Sequence, residues 1–261
     1  MAGEHPRLEL MNELQSEYQK KYKADFGVLT SFLGVNVERD QQAGTVKTHQ
    51  KRAVESLAEK WLPEDSALRK APPDRPCDEI LQTLTSPMAL VTNPEPSDEL
   101  RKEYWSCLGG AMYVANGSRS DCLHAVGLCS RAAQRPTREL LERLKGTVAF
   151  MWATREDYVC EYSAEAGLTL SACSDASHES YGATTGFVVY LAGARVSAAS
   201  KRQRCVTDSV CYAEIVAAST CVAEMMYHLL LMEELGDGSP IEPAALFVDN
   251  LAAIQIYLRI Q

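Results

Sequence analysis

A single helical run places the strongest condition on how this chain can fold. From Cys211, in "CYAEIVAASTCVAEMMYHLLL", the apolar residues Ile215, Ala218, Val222, Met225, Met226 and Leu229 recur at helical spacing, and Glu214 falls on the same stripe. A carboxylate turned toward a core requires a compensating partner. The run is bracketed by two strand-like stretches that each end in an acid. "LTLSACSD" alternates and closes on Asp175, while the apolar "AALFVD" ends at Asp249. A strand, a long crossing helix and a second strand have the means to bring Asp175, Glu214 and Asp249 together.

Such a trio suits magnesium. Two Mg2+ ions about 3.5 to 4 Å apart, held by Asp and Glu oxygens, can activate water and stabilise a leaving oxygen in phosphodiester hydrolysis. Without a cation, carboxylates ~4 Å apart repel by roughly 4 kcal/mol at an effective dielectric near 20, so the trio would protonate or splay. Taken one at a time, Asp175 and Asp249 read as ordinary strand-end or cap residues. Glu214, in the first turns of a helix that Thr207 or Asp208 could cap, suits the helix dipole. Only the ordered set argues for a site.

Composition sets wider bounds. A chain of 261 residues with 46% hydrophobic and 23% charged residues can build one large or two small cores. It has no run of 18 apolar residues, and "MAGEHPRLEL" resembles neither a signal peptide nor a transit peptide, so a soluble intracellular protein of cytoplasm or nucleus, without a membrane segment, is expected. Nine cysteines without a Cys-x-x-Cys pair, apart from the five histidines, argue against zinc and fit a reducing compartment. The net charge of −9 weighs against nucleic-acid binding, which depends on Lys and Arg neutralising phosphates. Its distribution softens that objection. "SKRQR" places Lys201, Arg202 and Arg204 after the expected third strand and before the Glu214 helix, as candidate nucleic-acid contacts, and "QKKYK" adds Lys20, Lys21 and Lys23; both runs read equally as solvated charge, the commoner outcome for short basic runs. His178 and Glu179 are read either as substrate contacts or as a solvated loop.

Along the chain, residues 8 to 23 predict a helix, "FGVLTSFLGVNVERD" and "QQAGTVKTHQ" a hairpin, and "QKRAVESLAEKWL" a helix ended by Pro63. Prolines mark residues 63–99 as an irregular linker. A helical region follows, broken at "NGSRSD", where Ser120 or Asp121 could cap the next helix; Pro136 ends that helix and Thr137 caps the one after it. Its Trp105, Tyr113, Phe150, Met151 and Trp152 are expected in the core. "YVCEYSA", "LTLSACSD", "TTGFVVYLAG" and "ARVSAASK" then predict an antiparallel meander with Gly193 in a tight turn, followed by a helix to about Leu235, a break at "GDGSP" and a buried strand to Asp249.

The ordered blocks "SDASHESYGATTGFVVYLAGARVSAASKRQRCVTDSVCYAEIVAAS" and "ALFVDNLAAI" resemble the ribonuclease H domain at the end of copia-type retrotransposon polyproteins. Upstream, "YWSCLGGAMYVANGSRSDCLHAVGLCSR" is similar to the helical connection before that domain, and "FLGVNVERDQQAGTVKTHQKRAVESLAEKW" to the end of the reverse transcriptase. The resemblance divides the chain into a reverse transcriptase remnant (1–62), a Pro-rich linker (63–99), a helical connection (100–155) and a ribonuclease H-like domain (156–261). It implies an α/β fold, α and β mixed, with a mixed sheet crossed by a long helix. Asp175, Glu214 and Asp249 would be the catalytic, metal-binding acids, with two Mg2+ ions and an RNA–DNA hybrid as substrate.

The same resemblance exposes departures. The family normally carries a fourth acid, with a nearby His in many members, after a further helix and strand, whereas this sequence stops at Gln261 within the helix that "NLAAIQIYL" begins. A C-terminally truncated domain with part of a sheet face uncovered is therefore expected. No Tyr-x-Asp-Asp occurs, so polymerase activity is not expected. Two readings stay open: a Mg2+-dependent endonuclease of ribonuclease H type, and a catalytically inactive remnant that at most binds nucleic acid or a partner. For the chain taken alone the second is favoured.

Overall fold

The computed structural model of the chain describes residues 6–22, 26–179, 181–236 and 244–259. Helix α1 (Pro6–Lys21) precedes strands β1 (Ser31–Phe32), β2 (Val35–Asp40) and β3 (Thr45–His49). The hairpin at "QQAG" forms. Asp40 opposes Thr45, its carboxylate accepts from the Gln42 and Ala43 N–H groups, and Gly44 takes a φ of 65°. Its first strand is shorter than the apolar run implies, because Leu33 and Gly34, both at positive φ, turn the chain between β1 and β2.

Helix α2 (Lys51–Trp61) stops ahead of Pro63. Residues 63–99, expected as irregular linker, instead hold three short helices, α3 (Ala67–Lys70), α4 (Glu79–Leu84) and α5 (Pro87–Thr92). Ser66, Asp78 and Ser86 each cap one with a side-chain oxygen, and Leu81 is buried in the helical core. The prolines punctuate this segment without excluding it from packing. Helices α6 (Asp98–Gly117), α7 (Leu123–Arg131) and α8 (Arg138–Ala153) complete that core with α2.

Thr137 caps α8 as expected, but neither Ser120 nor Asp121 caps α7 with its side chain. Asp121 is engaged 2.7 Å from the buried Arg119, whose guanidinium also donates to the Met151 carbonyl and the Thr154 hydroxyl. Phe150 and Met151 lie in the core. Trp105 and Tyr113 do not: both are about half exposed, because the indole N–H and the phenol reach out to the Ala133 and Leu33 carbonyls.

Strand β4 (Cys160–Ser163) corrects the expected topology. It pairs with β3, Thr45 opposite Ser163, and completes a sheet of order β1-β2-β3-β4. The meander proper is β5 (Leu170–Glu179), β6 (Gly182–Leu191) and β7 (Ala194–Arg202), with Ala192 and Gly193 both at positive φ in the β6–β7 turn. The chain then crosses through α9 (Val210–Leu235), and β8 (Ala245–Val248) returns parallel to β5, giving a mixed sheet of order β7-β6-β5-β8. Helix α10 (Leu251–Arg259) follows. The expected break at "GDGSP" runs into residues 237–243, outside the described residues.

Helix α9 is long and apolar enough, by length and composition, to cross a membrane. Here it packs one side on the sheet through Ala213, Ala217, Cys221 and Met225. Val222 and Met226, expected on the buried stripe, are 41% and 52% exposed, because the helix presents its small residues instead. Ala213 and Ala217 meet Ala176 of β5 and Ala183 of β6, and four such short side chains bring the start of the helix close to the sheet. Ser209, in place of Thr207 or Asp208, caps it by accepting from the Tyr212 N–H.

Candidate metal centre

The register between β5 and β8 positions two of the acids. Pairing runs from Ser171 opposite Ala245 to Ser174 opposite Val248, so the next residues, Asp175 and Asp249, stand side by side. Both are exposed. Asp249 follows β8 directly, as expected, whereas Asp175 is not a strand end: β5 continues to Glu179, held there by β6 alone. Past Ser174 the other edge of β5 has no ladder partner among the described residues. There the Ala176 N–H favours the charged form of the Glu214 carboxylate, which α9 delivers from the buried stripe.

The three acids predicted from the sequence therefore converge, with ligand oxygens of Asp175, Glu214 and Asp249 within 4.8 Å of one another. Glu214 is the buried member, 4% exposed. Burial raises its carboxyl above the ordinary range, the negative charges of Asp175 and Asp249 push it further, and the Ala176 N–H opposes them. Its Oε2 is buried with no hydrogen-bond partner among the described residues. An all-oxygen cluster with an unsatisfied buried oxygen has the donor chemistry of a hard divalent cation such as Mg2+, so these residues fit the ion that the carboxylate pattern implies.

The basic residues are less concentrated than the acids. Lys201 and Arg202 are the last two residues of β7, not the start of a loop, so strand alternation sends them to opposite faces. Arg202 opposes Thr184, which opposes Ser177, on the same face as Asp175; its guanidinium donates to the Tyr181 carbonyl at 2.5 Å. Lys201 opposes Thr185 and, through it, Ala176, on the side that α9 covers. Arg204 is exposed beyond the strand, and Lys23 lies outside the described residues. His178 and Glu179 are engaged within the fold: His178 Nε2 donates to the Thr207 carbonyl at 3.0 Å, and Glu179 lies 3.9 Å from Arg131.

Sequence reasoning passes over Gln203. It sits inside a run read for its charge, yet its amide nitrogen donates to the Ala213 carbonyl, one residue before Glu214, and to the Thr185 hydroxyl. The alanines at 213 and 217 are a signal that could have been read, since small residues at i, i+4 on one helix face mark a close approach.

Comparison with known proteins finds relatives among retrotransposon polyproteins. Over 230 residues, 87% of its length, the chain is 26% identical to the Retrovirus-related Pol polyprotein from transposon TNT 1-94 of Nicotiana tabacum, and spans 17% of that protein. It is 26% identical over 227 residues to a putative transposon Ty5-1 protein of Saccharomyces cerevisiae, covering 84% of this chain and 69% of the yeast protein. Over 128 residues, 48% of this chain, it is 31% identical to Secreted RxLR effector protein 161 of Plasmopara viticola, 89% of which is covered. No family model and no solved structure matches the chain. The chain belongs to the copia-type retrotransposon Pol family and spans a part of such a polyprotein.

Proposed function

We propose that the mixed sheet with α9 is a ribonuclease H-like unit that hydrolyses the RNA strand of an RNA–DNA hybrid in a Mg2+-dependent reaction. The convergence of Asp175, Glu214 and Asp249 within 4.8 Å, at the point where β8 ends beside β5, carries this reading. Asp175 and Asp249 face solvent and can hold charge where a phosphodiester would approach, while Glu214 presents a fixed, partly desolvated oxygen from below. When bound, two Mg2+ ions supply activation of the attacking water and neutralisation of the leaving oxygen. The chain's own residues contribute rigidity: an Asp within β5, an Asp directly after the neighbouring β8 and a Glu on the first turns of a packed helix lose little freedom on engaging a substrate.

The test is cleavage of a labelled RNA–DNA hybrid in Mg2+ by the full chain and by Asp175→Asn and Glu214→Gln. Loss of cleavage in both variants supports the reading; cleavage that survives in both removes it. A second reading, an inactive element remnant that at most binds nucleic acid or a partner, is favoured by the divergence of Lys201 from Arg202 across the sheet. No cleavage from a chain that melts cooperatively would select it.

A further inference from the structure

We infer that Gln203 is the positioning residue of the carboxylate site, holding Glu214 at its distance from Asp175. The inference rests on the metal-site reading above. Gln203 follows β7 directly, and its backbone N–H donates to the Ala183 carbonyl of β6, which anchors the residue to the sheet. Its side chain then spans to the helix. Nε2 donates to the Ala213 carbonyl at 2.8 Å and to the Thr185 hydroxyl at 3.1 Å, so both amide hydrogens are used. A carbonyl can only accept, which fixes the amide orientation and leaves Oε1 buried without a partner among the described residues.

The two bonds close a circuit through the site. Thr185 opposes Ala176 across the β5–β6 ladder, and Ala176 follows Asp175 and places its N–H where it favours the charged Glu214 carboxylate. The Ala213 carbonyl belongs to the peptide group that joins Ala213 to Glu214. Gln203 therefore ties the peptide plane preceding one carboxylate to the strand that carries another, and it does so from outside the site. The Ala213–Ala176 packing allows the helix to approach, but methyl contacts alone tolerate rotation of the helix about its axis. A directional hydrogen bond to one carbonyl does not. In this arrangement a buried amide with an orphaned oxygen is retained because it fixes the helix phase at Glu214.

The experiment is Mg2+ titration of the full chain by calorimetry, with a thermal melt in the absence of metal, for the parent and for Gln203→Leu, Thr185→Val and Thr185→Ser. Gln203→Leu should weaken Mg2+ binding by roughly 10-fold or more, the scale on which outer-shell partners act. Thr185→Val should weaken it less, and Thr185→Ser, which restores the hydroxyl, should bind as the parent does; all should melt cooperatively without metal. Parent-like binding by Gln203→Leu, with binding abolished by Asp175→Asn, would overturn the inference alone. If Gln203→Leu fails to fold, equal binding by Thr185→Val and Thr185→Ser overturns it. A parent chain that binds no Mg2+ would remove the metal-site reading and this inference with it.

Discussion

Ser174 opposes Val248 in the parallel ladder between β5 and β8, and that pairing sets Asp175 beside Asp249. A register slip of one residue would send one of the two acids to the other face of the sheet. The site thus depends on backbone pairing before any cation is considered. Helix α9 adds the third acid at the gap where the ladder ends.

Removing either exposed acid should abolish cleavage. Asp175→Asn and Asp249→Asn are each expected to reduce hybrid hydrolysis by more than about 100-fold, beyond what outer-shell changes cost, while circular dichroism and melting stay close to the parent. Both side chains are exposed, so stability has little stake in them.

Glu214→Gln should stabilise the metal-free chain at neutral pH. The carboxyl is raised in the fold by burial and by Asp175 and Asp249, so ionising it costs more folded than unfolded. That cost is absent below the ordinary glutamate value, grows as pH rises through it, and is complete above the raised folded value. Urea midpoints of parent and variant should therefore converge in acid and separate toward pH 7, the variant being the more stable. Saturating Mg2+ should stabilise the parent and not the variant.

Ala217→Leu should destabilise by about 1–3 kcal/mol, as overpacking of a full core does. Ala217 is fully buried in one cluster with Ala176 and Ala183, so an isobutyl group there would press α9 away from the sheet. Denaturant melts check the size, and Mg2+ titration should show weaker binding as Glu214 retreats.

Arg119→Met should cost about 3–5 kcal/mol, because it leaves Asp121 without the buried guanidinium that pairs with it. Arg119 is 1% exposed and also holds the Met151 carbonyl and the Thr154 hydroxyl. The change lies in the helical core, and loss of α6–α8 structure on guanidinium titration is the readout.

Hybrid affinity should respond to Arg202→Ala and not to Lys201→Ala. The two residues leave β7 on opposite faces, with Arg202 on the Asp175 side. Filter binding across a salt series checks it; few phosphate contacts predict a shallow slope, about −0.9 per contact.

Where local chemistry and global packing agree, the sequence is readable. The "QQAG" hairpin, Thr137 at the start of α8 and the Ala192–Gly193 turn depend on residues adjacent in the chain, and each forms where expected. Readings fail where a distant partner decides. β4 has the pattern of any strand, and only the free edge of β3 tells it to join the first sheet. Asp121 has the chemistry of a cap, but Arg119 claims it. The buried side of α9 is chosen by four alanines spread over two strands and a helix, so Val222 and Met226, the larger apolar residues, are left outside.

By itself the sequence determined the inventory: three acids in strand, helix and strand order, a basic run between them, and motifs in the order of a retrotransposon Pol. Periodicity also dictated that Glu214 would lie on the buried side of its helix. Convergence was decided only in three dimensions. It required a parallel register that aligns Asp175 with Asp249, a ladder that stops at Val248 to open an edge, small side chains that admit α9, and the Gln203 amide linking Ala213 to Thr185. Each of these joins residues far apart in the chain, and the free energy of such contacts depends on geometry that no local pattern encodes.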